Sequence, residues 1–234
     1  MAIRGILYDN DGTLVDTHDL ILDSMRFATR EVLGRVIPDD DLMRGVGTPL
    51  DAQLLELAGG DAQLGTELAR VYRAYNEERH DMAIRLFPHV AGGLRDLKDA
   101  GFVQGVVTAK RHRLAQHGLE IVGAWDCLDC LVGADDCSKS KPDPDPIIMG
   151  ARQLGLQPEE CIYLSDSPYD MESGIAAGST TVAALWGMFP VEQLMAYDPA
   201  ASFETFAEFV AWAEWMAGKG PKVDSSAILL GRCR

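Results

Sequence analysis

Five short, nearly uninterrupted apolar segments are the feature that most restricts how this chain can fold. Each precedes a segment with apolar residues at helical spacing, and strands that are apolar on both faces are typical of a parallel sheet covered by helices. The predicted strands are Ile3–Tyr8, Val103–Thr108, Leu128–Val132, Cys161–Ser165 and Thr180–Ala184. The predicted helices are Val90–Ala100, Arg113–Val122, Pro146–Leu154, Met171–Ala177 and Phe203–Met216. The sequence therefore predicts an α/β fold built on a parallel sheet.

Residues 17–85 interrupt this alternation. Ile21, Met25, Ala28 and Val32 recur at helical spacing, and no strand-like run appears in the segment. A segment of this length is far longer than one crossover helix needs. We therefore expect an all-helical cap at 17–85, a core formed by 1–16 and 86–217, and a loosely held tail at 218–234.

Composition narrows the class of protein. The net charge is −15, which leaves no basic surface for nucleic acid or an anionic membrane. No apolar run reaches the length of a membrane span and no cleavable signal is evident, so we expect a cytoplasmic protein. Five cysteines are an odd number, which argues against a disulfide framework. The pair Cys127 and Cys130 forms a C-x-x-C without a second pair at zinc-ribbon spacing, and we interpret both as buried residues.

The first predicted strand ends in two carboxylates, in Asp9-Asn10-Asp11-Gly12-Thr13. Ionised side chains at the end of a buried strand are costly unless something compensates them. A turn that begins at Asp9 can aim both carboxylates into one cavity, and Gly12 permits the tight path. There one carboxylate can attack phosphorus while the other passes protons, with Mg²⁺ as the compensating charge. A capped turn or part of a calcium-binding loop is the alternative.

Three further motifs follow the ends of later strands, where open α/β sheets bind their ligands. Thr108 offers a hydroxyl for phosphate oxygens, and Lys141 offers a charge that can neutralise a phosphoryl group. Asp166 ends the fourth strand and Asp170 follows one helical turn later, which supplies the hard oxygen ligands that Mg²⁺ prefers. Each motif has an ordinary alternative: a turn or helix cap for Thr108 and Asp166, and a solvated surface residue for Lys141.

The order of the four motifs closely resembles the haloacid dehalogenase superfamily of phosphohydrolases, over nearly the whole chain except the tail. The resemblance implies a Rossmann-like core in which Asp9 is the nucleophile and Asp11 is the general acid and base. It also implies that Thr108 binds the transferring phosphoryl group and that Lys141 stabilises its charge. Dehalogenases of the superfamily lack the second aspartate, so the presence of Asp11 favours a phosphatase.

The same resemblance implies a Mg²⁺ cofactor. Its ligands would be Asp9, Asp166 and the backbone carbonyl of Asp11, with Asp170 as a further acidic member of the metal site.

The position of the expected cap, between the first two motifs, resembles the subgroup of phosphoglycolate phosphatases, pyrophosphatases and beta-phosphoglucomutases. The segments DGTLVDTHDLI, RGVGTPL, KPDPDPI and VAALWGMF look most like phosphoglycolate phosphatases, and with YRAYNEERHD they also resemble pyrophosphatases. We therefore expect hydrolysis of a small phosphate monoester or of pyrophosphate through an aspartyl-phosphate intermediate. A mutase is less favoured because Pro49 stands where mutases carry an arginine, although a shifted alignment would recruit Arg44.

The glycine-rich segment RGVGTPL contains the expected substrate-facing residues of the cap, namely Arg44, Gly47 and Thr48. The alternative is an ordinary helix connection with Arg44 in solvent. His18 and His80 lie near the expected cap hinges, where isolated histidines are usually surface residues.

Three positions depart from the pattern of the superfamily. Asn10 replaces the usual apolar residue between the two aspartates, Ala109 stands where many relatives have asparagine, and Ser165 replaces a common glycine. None of them deletes a charge that the mechanism requires.

Two other functions stay open from the sequence. A phosphoacceptor signalling module also uses acidic residues, a hydroxyl and a lysine around Mg²⁺, and a regulatory protein can keep this fold without catalysis. The expected partner is a small phosphorylated metabolite or pyrophosphate, and the chain is expected to be a monomer or a homodimer.

Overall fold

The computed structural model describes residues 2–218 and contains a six-stranded, fully parallel sheet. Its strand order is β5-β4-β1-β6-β7-β8, so the first strand lies in the middle of the sheet. The strands are β1 (Gly5–Tyr8), β4 (Val103–Val107), β5 (Cys130–Val132), β6 (Cys161–Ser165), β7 (Thr180–Ala184) and β8 (Ala201–Phe203); β2 (Val15–Asp16) and β3 (Arg85–Leu86) form a separate antiparallel pair. The predicted α/β fold with a Rossmann-like parallel sheet is confirmed.

Ten α-helices connect and cover these strands within residues 2–218. They are α1 (His18–Leu33), α2 (Asp39–Met43), α3 (Leu50–Leu57), α4 (Ala62–Ala83), α5 (Val90–Asp99), α6 (His112–Ile121), α7 (Asp145–Gln153), α8 (Pro168–Ala177), α9 (Val191–Met195) and α10 (Phe206–Met216). The five helices predicted after the cap correspond to α5, α6, α7, α8 and α10.

The last part of the chain differs from the sequence prediction. Phe203 was expected to begin a helix, but it ends β8, and the helix begins three residues later behind a capping box formed by Thr205 and Glu208. The short elements α9, β2 and β3 were not predicted. They have two to five residues each, which is too short for a periodic pattern to show.

Both faces of the sheet are buried, as the apolar strands required. Ile6 and Tyr8 of β1 pack in one apolar cluster, and Leu7 between them packs in another. This alternation follows from the two-residue repeat of a strand. Phe206 and Phe209 of α10 cover the first face, whereas α7 contacts β1, β4 and β5 on the second.

The helices α1 to α4 form a helical insert, residues 18–83, between β2 and β3. The insert has an apolar cluster of its own, in which Met25, Leu54 and Leu68 are almost fully buried. Helices α1 and α4 form its most extensive packing. Because β2 pairs with β3, the chain segment that enters the insert and the segment that returns from it lie side by side.

Three sequence expectations concern the remaining regions. Cys127 and Cys130 are buried free thiols. Among residues 2–218, no helix combines the length and the apolar character needed to span a bilayer. The expected loosely held tail lies, apart from Gly218, outside the described residues.

Candidate active site

The carboxyl ends of the central strands bring together acidic residues that are far apart in the sequence. Asp9 follows β1 and Asp166 follows β6, and these strands pair in parallel with Tyr8 opposite Leu164. The backbone N–H of Asp9 donates to the carbonyl of Leu164 at 3.0 Å. Both residues are almost completely buried, with exposed fractions of 4% for Asp9 and 1% for Asp166. Each lies directly after its strand, so the pairing of the two strands determines where they lie.

Lys141 joins Asp9 to a second buried carboxylate. Its Nζ lies 2.9 Å from Oδ1 of Asp9 and 2.6 Å from Oδ1 of Asp170, and Tyr163 donates a hydrogen bond to the same oxygen of Asp170. Burial alone would lower the pKa of Lys141, but the two carboxylates outweigh it and raise the pKa above its ordinary value. This lysine therefore stays charged beside Asp9.

The surroundings of Asp9 disfavour its ionised form. Burial raises the pKa of its carboxyl well above the ordinary value, and the charge of Lys141 opposes this shift. The nearby carboxylates of Asp170 and Asp166 raise the pKa further. A single lysine thus does not compensate the negative charge at this point of the sheet.

Asp166 is fixed by both of its oxygens. The hydroxyl of Thr13 donates to Oδ1 at 2.8 Å, and the backbone N–H of Met188 donates to Oδ2 at 2.7 Å. Burial raises the pKa of Asp166 to about 6, although these two donors favour the carboxylate. Trp186 holds Thr13 in turn, because its indole N–H donates to the carbonyl of Thr13 at 3.0 Å.

Asp11 pairs with a different cation. Nζ of Lys110 lies 2.7 Å from Oδ1 of Asp11. Both side chains are mostly buried, with exposed fractions of 14% for Lys110 and 15% for Asp11. Burial alone would raise the pKa of Asp11, but the ion pair and hydrogen bond from Lys110 hold the pKa below its ordinary value. Lys110 is placed by the turn after β4, where its backbone N–H donates to Oγ1 of Thr108 at 3.1 Å.

The donor set fits a hard divalent cation. The carboxylates of Asp9 and Asp166 and the backbone carbonyl of Asp11 are the oxygen donors that would hold Mg²⁺. Burial, and then the repulsion of Asp170 and Asp166, raise the pKa of Asp9, and a divalent cation would stabilise the ionised carboxylate against both effects.

Asp170 lies beside Lys141 and not at the surface of the cavity. Its Oδ1 is taken by Lys141 and Tyr163, it is fully buried, and it is not among the residues that line the cavity above the site. Its position in the first turn of α8 directs it toward Lys141, while its Oδ2 is buried without a hydrogen-bond partner among the residues that the structure describes. Its role as a metal ligand stays a prediction.

A cavity of about 390 Å³ lies between the sheet edge and the helical insert. Asp9, Asp11, Thr108 and Asp166 line it from the sheet side. From the insert, the lining residues include Leu20, Ile21, Met25, Val46, Gly47, Thr48, Gln53, Arg73 and Asn76. The volume is within the range of small-molecule sites.

The expected substrate-facing residues of the insert separate into two groups. Gly47 and Thr48 line the cavity. Arg44 does not; its side chain is 71% exposed and forms an ion pair with Asp41, one helical turn before it. The structure thus places Arg44 away from the cavity, because its position directly after α2 directs its side chain to solvent and to a nearby acidic partner.

Three contacts at this site were not found from the sequence: Lys110 with Asp11, Thr13 with Asp166, and Tyr163 with Asp170. Lys110 stands two residues after Thr108, and that spacing was the available signal. The contact of Thr13 with Asp166 depends on the pairing of β1 with β6, and the contact of Tyr163 with Asp170 depends on how α8 packs against β6. No local sequence pattern contains either of them.

The three unusual positions are accommodated without loss of the site. Asn10 is buried and its backbone carbonyl accepts hydrogen bonds from the N–H groups of Leu14 and Val15, which closes the turn after β1. The hydroxyl of Ser165 accepts a hydrogen bond from the N–H of Ser167 at 3.1 Å. Ala109 lines the cavity beside Lys110.

Gly47 is the point at which the insert touches the loop after β6. Its φ is +97°, and a Cβ there would lie 2.7 Å from Oγ of Ser167. We expect Gly47→Ala to push the insert away from the sheet edge and to reduce kcat/KM for any phosphate substrate about tenfold, since closure excludes water and orients the reacting groups. Phosphate-release kinetics and thermal melts measure the effect.

Gly59→Ala is the matched control. Gly59 also has a positive φ, +67°, but a Cβ there would meet no atom within 4 Å. Both variants carry the cost of a left-handed backbone. They differ in the contact with Ser167 and in the position of Gly47 at the cavity. Equal kinetic losses in the two variants would show that backbone strain, not the contact, lowers activity.

Known proteins resemble this chain along most of its length. Residues 6–184 match the family model described as haloacid dehalogenase-like hydrolase. A relative named pyrophosphatase PpaX from Bacillus velezensis is 31% identical over 208 residues, which cover 89% of this chain and 95% of that protein. Another pyrophosphatase PpaX, from Bacillus mycoides, is 30% identical over 199 residues, covering 85% and 91%.

The solved structures agree on the fold. A haloacid dehalogenase-like family hydrolase from Streptococcus pneumoniae superposes with a TM-score of 0.80 at 24% identity, covering 90% of this chain and 98% of that one. The family match, the relatives and the arrangement of the four motifs all lead to one assignment. The chain belongs to the haloacid dehalogenase-like hydrolase family.

Proposed function

We propose that this protein is a Mg²⁺-dependent phosphohydrolase that cleaves pyrophosphate or a small phosphate monoester through an aspartyl-phosphate at Asp9. The observation that carries the proposal is the buried cluster at the sheet edge, in which Lys141 binds Asp9 and a second carboxylate, Asp166, is fixed beside it. Bound Mg²⁺ would supply charge neutralisation for the phosphoryl oxygens.

The reaction needs two displacements at phosphorus. In the first, a carboxylate oxygen of Asp9 bonds to phosphorus, the bond to the leaving oxygen breaks, and Asp11 donates a proton to that oxygen. Asp11 must carry this proton when the step begins, although the ion pair with Lys110 holds its pKa below the ordinary value. In the second, Asp11 takes a proton from water, the water oxygen bonds to phosphorus, and the bond to Asp9 breaks, which releases phosphate. Lys141 offsets the charge that Asp9 and the phosphoryl group bring together.

The side of the cavity that would hold the leaving group carries cations. Lys110 lines it while paired with Asp11, and Arg73 of α4 lines it while paired with Asp51 at 2.7 Å. A leaving group that is itself an anion can compete for these cations. This favours pyrophosphate, the substrate class in the names of the PpaX relatives, or an ester whose leaving group carries a carboxylate, such as phosphoglycolate.

An organic monoester is the second candidate because part of the lining is apolar. Leu20, Ile21, Met25 and Val46 contribute side chains to the cavity. Inorganic pyrophosphate has no apolar surface to cover them. An organic leaving group would bury against them and gain free energy from that burial.

The test is Mg²⁺-dependent phosphate release from pyrophosphate, phosphoglycolate and a panel of sugar phosphates, with EDTA added in parallel. We expect turnover with Mg²⁺, loss of turnover with EDTA and recovery when Mg²⁺ is restored in excess. The ranking of kcat/KM identifies the substrate class. A protein that becomes stably phosphorylated without releasing phosphate would instead be a phosphoacceptor, and conversion of one sugar phosphate into another would indicate a mutase.

Replacing Lys110 with methionine tests the preference for an anionic leaving group. A hydrogen bond to a charged group contributes roughly 1.5–3 kcal/mol, so we expect kcat/KM for pyrophosphate to fall about 10- to 100-fold. The loss should be smaller for phenyl phosphate, whose leaving group has no second anion. Both substrates experience the missing partner of Asp11, so the difference between the two losses measures the contact with the anion.

Two variants control the Lys110 experiment. Lys110→Arg keeps the charge and should recover part of the activity on pyrophosphate. Lys98→Met removes another lysine, at the end of α5 that leads into the amino end of β4, and should leave both substrates unaffected. Equal losses on both substrates in Lys110→Met would mean that Lys110 acts only through Asp11.

A further inference from the structure

Three metal-ligating side chains lie together outside the catalytic cavity. In the part of the chain that the structure describes, His80, Asp81 and His117 are the one set of three such residues whose donor atoms all lie within 4.8 Å of one another. Nδ1 of His80 lies 3.0 Å from Oδ1 of Asp81, and Nε2 of His117 lies 3.0 Å from the same oxygen. None of the three lines the cavity above Asp9.

The three residues come from two different parts of the molecule. His80 and Asp81 lie in the last turn of α4, just before the insert returns to the sheet, whereas His117 lies in α6 of the core. The helices approach closely because residue 118 is glycine: a Cβ there would lie 3.1 Å from Cε1 of His80. The imidazole rings of His80 and His117 lie nearly parallel, 6.1 Å apart and inclined by 23°.

His80 is not the surface residue expected from the sequence. It is 1% exposed, and its Nε2 is buried without a hydrogen-bond partner among the described residues. Among residues 2–218, the contact of Nδ1 with Asp81 is therefore the one hydrogen bond of this imidazole. By contrast, about half of the surface of His117 and of Asp81 is exposed, which leaves an open approach from solvent.

Two imidazoles and one carboxylate are a donor set that zinc and similar transition metals bind. In a tetrahedral site with ligand bonds of about 2.0–2.1 Å, neighbouring donors lie about 3.3 Å apart. The observed separations of 3.0 Å from the carboxylate oxygen to both nitrogens are close to that value. The donor atoms of the two histidines lie within 4.8 Å of each other, so any gap between them closes by a movement of the half-exposed His117. The set differs from the all-oxygen donors at the sheet edge, so the two sites prefer different metals.

We propose that His80, Asp81 and His117 form a binding site for a zinc-type transition metal that links the end of the helical insert to the core. Water completes the coordination on the exposed side. The metal binds to α4 on one side and to α6 on the other, so it restrains their separation beside the β2–β3 connection. The proposal does not depend on the substrate or on the activity at Asp9.

The test measures metal binding rather than activity. The chain without a polyhistidine tag is stripped with a chelator, returned to saturating Mg²⁺ to fill the hard-oxygen site, and titrated with Zn²⁺ by calorimetry and with Co²⁺ by visible absorption. We expect one equivalent of Zn²⁺ and the intense visible bands of four-coordinate Co²⁺. Saturating Zn²⁺ should also raise the Tm by about 5 °C, because the metal binds the folded state.

His117→Ala should weaken this binding more than about 100-fold, since a direct ligand contributes more than its supporting hydrogen bonds do. His117 is half exposed, so the variant should fold, and Asp81→Asn provides a second test at another exposed ligand. His18→Ala is the matched control: His18 is 45% exposed and contacts a neighbouring aspartate, Asp19, at 3.2 Å, but it belongs to no group of three ligands. Equal Zn²⁺ binding by His117→Ala and by the unsubstituted chain, or no equivalent bound beside Mg²⁺, would overturn the proposal and leave an ordinary hydrogen-bonded contact.

Discussion

Replacing Asp9 with asparagine is expected to reduce phosphate release by at least about 10⁴-fold on every substrate, because the residue that bonds to phosphorus is lost. The amide is close in shape to the carboxylate and is far less nucleophilic. Burial raises the pKa of Asp9 well above its ordinary value, so the ionised carboxylate is costly at this position. Asp9→Asn removes one carboxylate partner of Lys141, but Asp170 stays to compensate that charge, so we expect the variant to fold. Phosphate-release kinetics test the expected loss of activity, and a thermal melt tests the stability of the variant.

Asp99→Asn is the matched control, because it makes the same replacement of aspartate by asparagine away from the site. Asp99 lies at the exposed end of α5, far from the carboxyl ends of the strands, and should leave kcat and KM unaltered. An Asp9→Asn variant that folds and keeps more than about one hundredth of the activity would rule out an aspartyl-phosphate at Asp9. Trapping labelled phosphate on the unsubstituted chain, and its absence from Asp9→Asn, would establish the intermediate directly.

The sequence predicts that Asp9 and Asp166 lie at the same edge of the sheet, whereas their close approach also requires β1 and β6 to be neighbours, which was not predicted from the sequence. Apolar runs identify the strands, parallel strands place their carboxyl ends at one edge, and residues that follow neighbouring strands then lie close together. The structure pairs β1 with β6, which brings these two aspartates to the same edge.

The partners of the other acidic residues could not be predicted because they depend on side-chain direction. Asp170 and Asp166 are one helical turn apart, but Asp170 points to Lys141 behind the site and Asp166 lines the cavity. Likewise, Lys110 contacts Asp11 across 99 positions of sequence. Such contacts follow from the twist of the sheet and from packing, which local spacing does not determine.

The positions of individual side chains in the insert could not be predicted from the sequence either. A helical pattern predicts that residues 17–85 form a helical cap but not which side of it faces the sheet. Arg44 and Gly47 are three residues apart, yet one lies in solvent and the other touches Ser167. The burial of His80 likewise depends on the close approach of α6, which a single glycine at position 118 permits.

Lys141→Met is expected to destabilise the fold and to abolish most activity at the same time. Lys141 is 4% exposed and is the cation that contacts both Asp9 and Asp170. Removing one partner of a buried ion pair leaves uncompensated charge and costs about 3–5 kcal/mol. For a chain of this size that corresponds to a fall in Tm of roughly 10 °C.

Lys139→Met is the matched control for that variant. Lys139 lies two residues away and pairs with Asp143 and Asp145, but it is 57% exposed, and exposed pairs contribute little to stability. We expect a change in Tm close to zero and full activity. Similar falls in Tm for Lys141→Met and Lys139→Met would contradict the expectation that loss of the buried ion pair costs more stability than loss of the exposed one.

The double variant Lys141→Met with Asp170→Asn separates stability from catalysis. Asp170 supports Lys141 from behind and does not line the cavity, so neutralising it removes one of the two uncompensated charges. The Tm should therefore recover part of its loss relative to Lys141→Met, whereas activity should not return, because the cation beside Asp9 is still missing. Recovery of both together would mean that Lys141 serves the fold alone. Recovery of the Tm without activity would place the positive charge of Lys141 in the reaction itself.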